Sequence, residues 1–322
     1  MRCLVLLVAA GCGDNTEIPL DAVPDASACT PGPGWTTAPD LPRGPTQETV
    51  TVAVDGTIYV IGGFVGGPVD AVQAFDTRTC AWSEGPALPR AIHHANAAVV
   101  DGTIWVLGAL ESLSFTTHGH VWSWNPATET AWTTHPAMPA ERGSSVLGVV
   151  DGQILVAGGL RNGTVQEVSR FDPAARTWTT LPALPDGRDH ACGGVIGDAF
   201  YVAGGRGGMA GGNASTLWAL LPGATSWTPR ASMPTGRSGT ACAILDDRLY
   251  VFGGEGNPAT PTGVFAEAEV YDPAADAWTS LASMPVPRHG MGAAAWDGRI
   301  YVPGGATVGG FGAVATHEVF TP

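Results

Sequence analysis

The sequence contains no lysine: all 15 basic residues are arginines, set against 29 Asp and Glu residues for a net charge of −14. Without lysine there is neither a Schiff-base nucleophile nor a lysine base, which excludes two common forms of catalysis. A chain this acidic also offers no basic face with which to displace the counterions of DNA or RNA. The sequence therefore predicts no nucleic-acid partner.

Long hydrophobic runs are also scarce, and beyond the first residues none reaches the length needed to span a bilayer. Hydrophobic residues nevertheless make up 44% of the chain, which is enough for a substantial core and argues against disorder. Glycine and proline are abundant, at 45 and 26 residues. This composition favours many short strands joined by tight turns.

The N-terminus reads MRCLVLLVAAGC: one arginine, a short apolar run, and small residues that end at Cys12. It resembles a bacterial lipoprotein signal, with residues 1–11 removed and Cys12 carrying the lipid. An ordinary secretory signal cut elsewhere is the alternative. Residues 12–34 lack an apolar period, so we expect a flexible tether. The resemblance implies attachment to a lipid bilayer in the cell envelope, and Asp14 favours the outer membrane.

Three landmarks recur in the same order, roughly every 50 residues, along the rest of the chain. The first is a tryptophan, found at Trp35, Trp82, Trp132, Trp178, Trp227 and Trp278. The second is a glycine pair, found at 62/63, 158/159, 204/205, 253/254 and 304/305, with Gly108-Ala109 in the sixth place. The third is an arginine after a proline-containing turn, found at Arg43, Arg90, Arg142, Arg188, Arg237 and Arg288.

One repeat, residues 142–187, shows how the landmarks are connected. An apolar strand (SSVLGVV) meets a tight Asp151-Gly152 turn, and a second strand (QILVAGG) ends in the glycine pair. A third strand (EVSRFDP) follows a variable loop, and a fourth begins at Thr177-Trp178. The pattern VDGxIYVxGG…YDPxxxxW resembles the kelch repeat. The resemblance implies an all-β fold, a β-propeller of four-stranded antiparallel blades.

The two ends of the chain give the number of blades. The segment around Trp35 (GWTTAPDLPR) reads as a lone fourth strand, whereas EVFTP at residues 318–322 aligns with a third strand. The N-terminal strand therefore completes the last blade, and the closed ring has no open edge. We expect residues 35–322 to form a six-bladed propeller.

The recurring arginines mark a candidate binding face. The turn into the first strand of each blade and the loop between its second and third strands share one face, which we call the first face. We predict that the six arginines ring the channel mouth there, suited to a carboxylate or a polyhydroxylated anion. A structural role, bonding carbonyl groups of the neighbouring blade, is the alternative and is favoured for most of them. Further candidates are His93, His94, Asp189, His190 and His289 beside the ring, and Glu111, Arg161, Arg206 and Glu255 on the loops. Of these, His93, His190, His289 and Glu255 are taken as ligand-binding residues.

Histidines are concentrated in the second blade, at His93, His94, His118 and His120. Two histidines on one strand face are a plausible metal pair. The first and third strands of a blade lie about 10 Å apart, however, so the two pairs meet only if the loop folds inward. The sequence therefore predicts no metal site and no cofactor.

Four cysteines remain beyond Cys12, an even number that invites disulfides outside the cytoplasm. Cys29 and Cys80 both precede fourth strands, in neighbouring blades, so a bond between them would tie the tether to the ring. Cys192 and Cys242 fall on inner strands of blades four and five. A disulfide and a pair of buried thiols are both consistent with that placement.

Two functions follow from the resemblance. The first is a non-enzymatic binding module that presents the first face to a protein or glycan ligand. The alternative is a carbohydrate-active enzyme, because some bacterial six-bladed kelch propellers similar in size and export act as sialic-acid mutarotases. In that case arginine would bind a carboxylate, and Glu111, Glu255 or His190 would transfer protons.

Overall fold

The structure is a computed structural model in which residues 32–207 and 212–322 are described. The predicted signal, Cys12, Cys29 and most of the predicted tether lie outside these residues. The described part of the chain forms 24 β-strands in six four-stranded antiparallel sheets. It includes no helix that is long and apolar enough to cross a membrane.

The first three blades along the chain contain twelve strands. These are β2 (Val50–Val54), β3 (Thr57–Ile61), β4 (Val72–Asp76), β5 (Ala81–Glu84), β6 (Ala97–Val100), β7 (Thr103–Glu111), β8 (Thr116–Trp124), β9 (Thr133–His135), β10 (Val146–Val150), β11 (Gln153–Ala157), β12 (Val168–Asp172) and β13 (Thr177–Leu181). In each blade the strands pair in chain order, and the first strand lies nearest the central axis.

The last three blades contain the other twelve. These are β14 (Cys192–Ile196), β15 (Ala199–Ala203), β16 (Leu217–Leu220), β17 (Thr228–Arg230), β18 (Ala241–Leu245), β19 (Arg248–Phe252), β20 (Ala268–Asp272), β21 (Ala277–Ser280), β22 (Ala294–Trp296), β23 (Arg299–Pro303), β24 (His317–Thr321) and, from the start of the chain, β1 (Gly34–Ala38). The sixth sheet has the order β1-β24-β23-β22. The predicted six-bladed propeller, closed by the N-terminal strand, is confirmed.

Strand β1 closes the ring because its residues pair in register with the last strand. Trp35 lies opposite Phe320, and Ala38 lies opposite His317. The two ends of the chain thus share one sheet, which leaves no blade with an unpaired outer third strand.

The repeat tryptophans join adjacent blades, and most also form a hydrogen bond there. Trp82 Nε1 donates to the Pro39 carbonyl of the preceding blade at 2.9 Å, and Trp278 Nε1 donates to the Ala231 carbonyl at 2.8 Å. Equivalent bonds are made by Trp35, Trp132 and Trp227. A large apolar ring fills the space between sheets while its single N–H stays satisfied.

The glycine pairs are required by a close approach of backbones. Gly254 has a φ of 122°, and its N–H donates to the Arg288 carbonyl of the next blade at 2.9 Å. A Cβ at Gly254 would lie 2.7 Å from the Ser238 carbonyl oxygen. No side chain fits in that space, so the pair is conformationally obligatory.

Blade two departs from this pattern, as the sequence predicted. Its strands β7 and β8 run for nine residues each, with a register shift between Leu107 and Ala109. In the other blades the N–H of the second glycine reaches the next blade, whereas here the Asn96 side chain does so. Asn96 donates to the Arg142 carbonyl at 2.8 Å and accepts the Ser145 N–H at 2.8 Å.

The inner strands of blades four and five are joined by a disulfide between Cys192 and Cys242, whose Cα atoms are 6.0 Å apart. Of the two alternatives left open by the sequence, the disulfide is the one the structure contains. Cys80 is buried and disulfide-bonded. Cys29 lies outside the described residues, so the Cys29–Cys80 pairing stays a prediction.

The closing strand pair carries a buried histidine. His317 is fully buried, its Nδ1 lies 3.3 Å from the Pro39 carbonyl, and its ring packs edge-on against Phe75. Burial lowers the pKa of His317 to about 3. In the unfolded chain a histidine titrates near pH 6.5. Below that pH the histidine is protonated in the unfolded chain but stays neutral in the folded chain. The stability present above about pH 6.5 is therefore lost as the pH falls toward 3.

We expect a His317→Gln variant to lose less stability in acid than the wild type. The glutamine amide can donate to the Pro39 carbonyl but does not titrate. Between pH 6.5 and 4.5, the slope of the unfolding free energy against pH should fall by about 1 kcal/mol per pH unit on average. Urea unfolding at several pH values measures this slope. Equal slopes for the two proteins would show that His317 is accessible to protons in the folded state.

Candidate functional site

The backbone contacts of the glycine pairs identify which residues occupy equivalent positions in the six blades. The second glycine of a pair donates its N–H to one carbonyl of the next blade: Thr46, Ile92, Arg188, Arg237 or Arg288. Blades one and two therefore have Thr46 and Ile92 at this position. Arg43 and Arg90, which the sequence placed in the arginine ring, lie earlier in the turn.

The other four arginines do not line the channel mouth, which corrects the predicted placement. Arg142 is fully buried, and its guanidinium donates to the carbonyls of Gly158 at 2.8 Å and Val156 at 3.0 Å, in the second strand of its own blade. Burial lowers its pKa to about 10, so it stays charged at neutral pH. The four arginine side chains extend outward, away from the axis. The bend at the glycine pair leaves carbonyls of the second strand without a backbone donor, and the guanidinium groups supply one.

Arg188, Arg237 and Arg288 likewise extend outward and contact groups of their own blades. Arg237 Nη1 pairs with Glu269 at 2.6 Å, and Arg288 Nη1 pairs with Glu318 at 3.0 Å, both within the sheet. Arg188 donates to the Gly204 carbonyl at 3.1 Å.

Arg43 and Arg90, by contrast, are exposed and pair with carboxylates. Arg43 pairs with Glu84 at 2.7 Å, and Arg90 Nε pairs with Glu111 at 3.2 Å.

The channel mouth is formed instead by six residues, one from each blade, that precede the inner strands. We call this set the axial ring: Glu48, His94, Ser144, His190, Gly239 and Gly290. All six have left-handed backbones, with φ between 49° and 63°.

The axial ring is closed by hydrogen bonds that run from blade to blade. His94 N donates to Glu48 O, Ser144 N to His94 O, Gly239 N to His190 O, Gly290 N to Gly239 O, and Glu48 N to Gly290 O, over 2.5–3.0 Å. The sixth step is a side-chain bond, from His190 N to Ser144 Oγ at 3.1 Å. Each blade thereby fixes the start of the next.

Three side chains of the axial ring converge. His94 Nε2 lies 3.0 Å from His190 Nε2 and 3.1 Å from Glu48 Oε2. These are the only ring side chains larger than serine, and all three are largely buried. They also line the central channel, which encloses about 590 Å³ between the inner strands.

A second layer of polar side chains surrounds these three. Arg206 Nε lies 3.1 Å from Asp189 Oδ1, and Arg206 Nη1 lies 2.7 Å from Glu255 Oε1. Glu255 Oε2 is 3.5 Å from His289 Nδ1, which is in turn 3.6 Å from Glu48 Oε1. The contacts form a circuit around the mouth. We call the two layers together the axial cluster: Glu48, His93, His94, Asp189, His190, Arg206, Glu255 and His289.

Each histidine of the axial cluster has one ring nitrogen fixed by a hydrogen-bond partner. His190 Nδ1 meets Asp189 Oδ1 at 2.5 Å, and His94 Nδ1 meets His93 Nδ1 at 2.5 Å. Burial lowers the pKa of His94 well below its usual value, and repulsion by His190 acts in the same direction. Burial likewise lowers the pKa of His93. Both imidazoles are therefore neutral at neutral pH.

The structure brings together seven of the candidates that the sequence named: His93, His94, Asp189, His190, Arg206, Glu255 and His289. It also adds Glu48, which sequence reasoning missed. A signal for Glu48 existed, because it occupies the same repeat position as His94 and His190. Aligning the repeats on the arginine after the proline turn does not place Glu48 opposite His190. In the first two blades that arginine lies two or three residues earlier in the turn than in the other four.

A separate polar group lies on the extended hairpin of blade two. Glu111 contacts His120 Nε2 at 2.7 Å and His118 Nε2 at 3.2 Å, and the two imidazoles stack with an angle of 3° between their planes. This group does not meet His93 or His94, in line with the strand spacing. His118 is the most exposed of the three residues.

Comparison with known families gives two matches. A family model described as the KLHDC2/KLHL20/DRC7 Kelch-repeats domain matches residues 34–205. A model described as N-acetylneuraminate epimerase matches residues 181–316. The second match contains five residues of the axial cluster: Asp189, His190, Arg206, Glu255 and His289.

Individual proteins give the same assignment of fold. The kelch-like protein terF of Aspergillus terreus is 35% identical over 341 aligned residues, which cover 99% of this chain and 72% of that protein. The putative F-box/kelch-repeat protein At5g38680 of Arabidopsis thaliana is 40% identical over 63 residues, 20% of this chain and 17% of that protein. A solved structure titled "Structure of YjhT" has a TM-score of 0.74 at 19% identity, covering 89% of this chain and 97% of the other.

The buried arginines give a testable distinction. We expect Arg237→Met to lower the free energy of unfolding by about 3–5 kcal/mol, because it leaves the Glu269 carboxylate buried without a partner. Arg43→Met should leave stability nearly unchanged, because the Arg43–Glu84 pair is exposed. Urea unfolding measures both. A mild effect of Arg237→Met, close to that of Arg43→Met, would contradict a structural role for the buried arginines.

Proposed function

Because the chain belongs to the kelch-repeat propeller family, we propose that its first-face mouth binds a small carboxylated sugar and interconverts the α and β anomers of that sugar by acid–base catalysis of ring opening. The match to the N-acetylneuraminate epimerase model carries this proposal, because the matched segment supplies most of the axial cluster. The fold by itself supports only a binding module. The chemistry of the mouth supports the more specific function.

Arg206 is the proposed anchor for the sugar carboxylate. Its side chain is 22% exposed, whereas Arg142, Arg237 and Arg288 are enclosed in their blades. Asp189 and Glu255 hold two of its nitrogens, so the guanidinium is oriented before a ligand arrives. A preorganised guanidinium binds a carboxylate through two parallel hydrogen bonds.

Glu255 and His289 are the proposed proton-transfer pair. Exchange of the anomers needs one group that removes the proton of the anomeric hydroxyl and another that protonates the ring oxygen as the ring C–O bond breaks. The ring then closes on the other face of the carbonyl, with both proton transfers reversed. Glu255 Oε2 and His289 Nδ1 are 3.5 Å apart, and the Glu255 side chain is 13% exposed. His289 Nε2 lies 3.0 Å from the Val308 carbonyl, which fixes the ring orientation. The pair therefore stands beside Arg206, within reach of a ligand that it anchors.

A non-catalytic binding role is the second candidate, and the loops of the first face favour it. Val65, Leu113, Val308 and Phe311 are exposed hydrophobic residues, and all four lie on loops between second and third strands. Phe311 is 67% exposed and contacts the Phe64 ring at 5.5 Å. An apolar rim around a polar mouth suits a larger glycan or a protein segment.

The two candidates are separated by an NMR exchange experiment with N-acetylneuraminate. We expect the purified chain to accelerate exchange between the α and β anomers above the uncatalysed rate. Glu255→Gln should reduce the acceleration by about 100-fold or more, because it removes a proton-transfer group. Arg206→Met should weaken binding by about 10- to 100-fold, because it removes charge-assisted hydrogen bonds.

Arg248→Met is the matched control, because Arg248 pairs with Asp272 at the opposite end of its blade. This variant should behave as wild type. Saturable binding without accelerated exchange would support the binding module and reject the epimerase. The absence of both would reject N-acetylneuraminate as the ligand.

We also propose that the chain is lipid-anchored through Cys12 in the cell envelope. The support is the sequence MRCLVLLVAAGC and its resemblance to a lipoprotein signal. We expect a Cys12→Ser variant expressed in a bacterium to lose incorporation of radiolabelled fatty acid and to leave the membrane fraction. Persistent labelling of that variant would place any lipid elsewhere.

A further inference from the structure

The three converging side chains of the axial ring have the donor spacing of a metal site. Tetrahedral zinc has metal–nitrogen distances of about 2.0–2.1 Å, which puts neighbouring ligand atoms about 3.3 Å apart. The His94–His190 and His94–Glu48 contacts, at 3.0 and 3.1 Å, are close to that value. All three ligand atoms lie within 4.8 Å of one another.

The surrounding hydrogen bonds decide which nitrogens carry protons. His93 Nε2 lies 2.9 Å from the Ser112 carbonyl, which can only accept, so His93 Nε2 is the protonated nitrogen. In a neutral His93 the Nδ1 then accepts, and His94 Nδ1 must donate to it. A neutral His94 therefore presents an unprotonated Nε2.

The same reasoning applies to His190. Its Nδ1 donates to the Asp189 carboxylate, which leaves the Nε2 lone pair free to bind a cation. Arg206 Nη2 lies 3.2–3.3 Å from both ring nitrogens of His190, so it rests against the side of the ring rather than at the end of either lone pair. Two imidazole lone pairs and a carboxylate oxygen thus face one another.

The lone pairs of these three atoms repel one another. A single proton can lie in the His94–His190 contact or in the His94–Glu48 contact, but it cannot satisfy both. A metal ion bound by all three atoms satisfies both contacts at once. The local charge agrees: the axial cluster contains three carboxylates, from Glu48, Asp189 and Glu255, and a single guanidinium, from Arg206. The axial cluster is negative by two charges before any histidine is protonated, which a divalent cation neutralises.

The outer contacts match those of known metal sites. A ligating histidine almost always donates its other N–H to a carboxylate or another fixed acceptor. His190 does so to Asp189, and His94 does so to His93, which is itself held by Ser112. Glu48 Oε1, the oxygen that does not face His94, lies 3.6 Å from His289.

From this geometry we propose that Glu48, His94 and His190 bind one divalent transition-metal ion such as Zn²⁺. Three protein ligands leave a fourth position, and all three line the central channel. Neighbouring Ser144 places only a hydroxyl there, so water or a small ligand can occupy that position. The site does not depend on the proposed sugar chemistry, which uses Arg206, Glu255 and His289.

The blade-two group of Glu111, His118 and His120 offers a matched comparison. It has the same residue types, but it is more exposed, and Glu111 is shared with Arg90. No carboxylate is recorded on the second nitrogen of either histidine in the described residues. We therefore expect weaker metal binding there.

The test is a Zn²⁺ titration of the purified, chelator-treated full chain against a chromophoric competitor. We expect one tightly bound equivalent. A His94→Gln/His190→Gln double variant should bind at least about 100-fold more weakly, and Asp189→Asn about 10-fold more weakly. A His118→Gln/His120→Gln double variant should keep the tight equivalent. Mg²⁺ should not compete, because imidazole ligands favour transition metals.

Two wild-type measurements keep the proposal testable if a variant fails to fold. Zn²⁺, but not Mg²⁺, should raise Tm, and Co²⁺ should show the intense d–d absorption of a four-coordinate ion. Absence of a tight equivalent in the wild type would overturn the proposal. So would loss of that equivalent in the His118→Gln/His120→Gln protein, which would place the metal on blade two.

Discussion

The closed circle of hydrogen bonds through the axial ring is the constraint on which the rest of the propeller depends. The ring residue that precedes each inner strand donates its N–H to an acceptor of the preceding blade, so the position of one blade fixes the next. Left-handed backbone is required at all six positions, and it costs a non-glycine residue of order 1 kcal/mol or more. The glycine pairs and tryptophans then set how closely adjacent sheets pack around this circle.

The sequence was sufficient to predict the fold because its signals are local and repeated. Asp-Gly turns, glycine pairs and tryptophans each report on their own blade, and six copies fix the architecture. Closure was also predictable, since the Trp35 segment and residues 318–322 are complementary fragments of one repeat. The disulfide could not be decided, because Cys192 and Cys242 lie on different blades and their separation depends on how far the inner strands converge.

The site was predictable only in part, because it is assembled across blades at one repeat position. The arginine ring was misplaced for two reasons. The arginines of blades one and two precede the equivalent position, and the others reach outward to carbonyls freed by the glycine bend. As a metal ligand, His94 was compared only with histidines of its own blade, whereas its partners are Glu48 of blade one and His190 of blade four. Sequence distance conceals such contacts, although the axis brings them within 3.1 Å.

Blades five and six show that a ring position needs no side chain to take part in closure. They have Gly239 and Gly290 at the ring positions, and the blade-to-blade hydrogen bonds there are as short as elsewhere. Glycine also avoids the strain of left-handed backbone. Glu48, His94 and His190 therefore replace a residue that would serve closure equally well, and they add the cost of burying ionisable groups. Such costs are concentrated at functional sites. We therefore expect the function of the chain where Glu48, His94 and His190 stand in place of glycine.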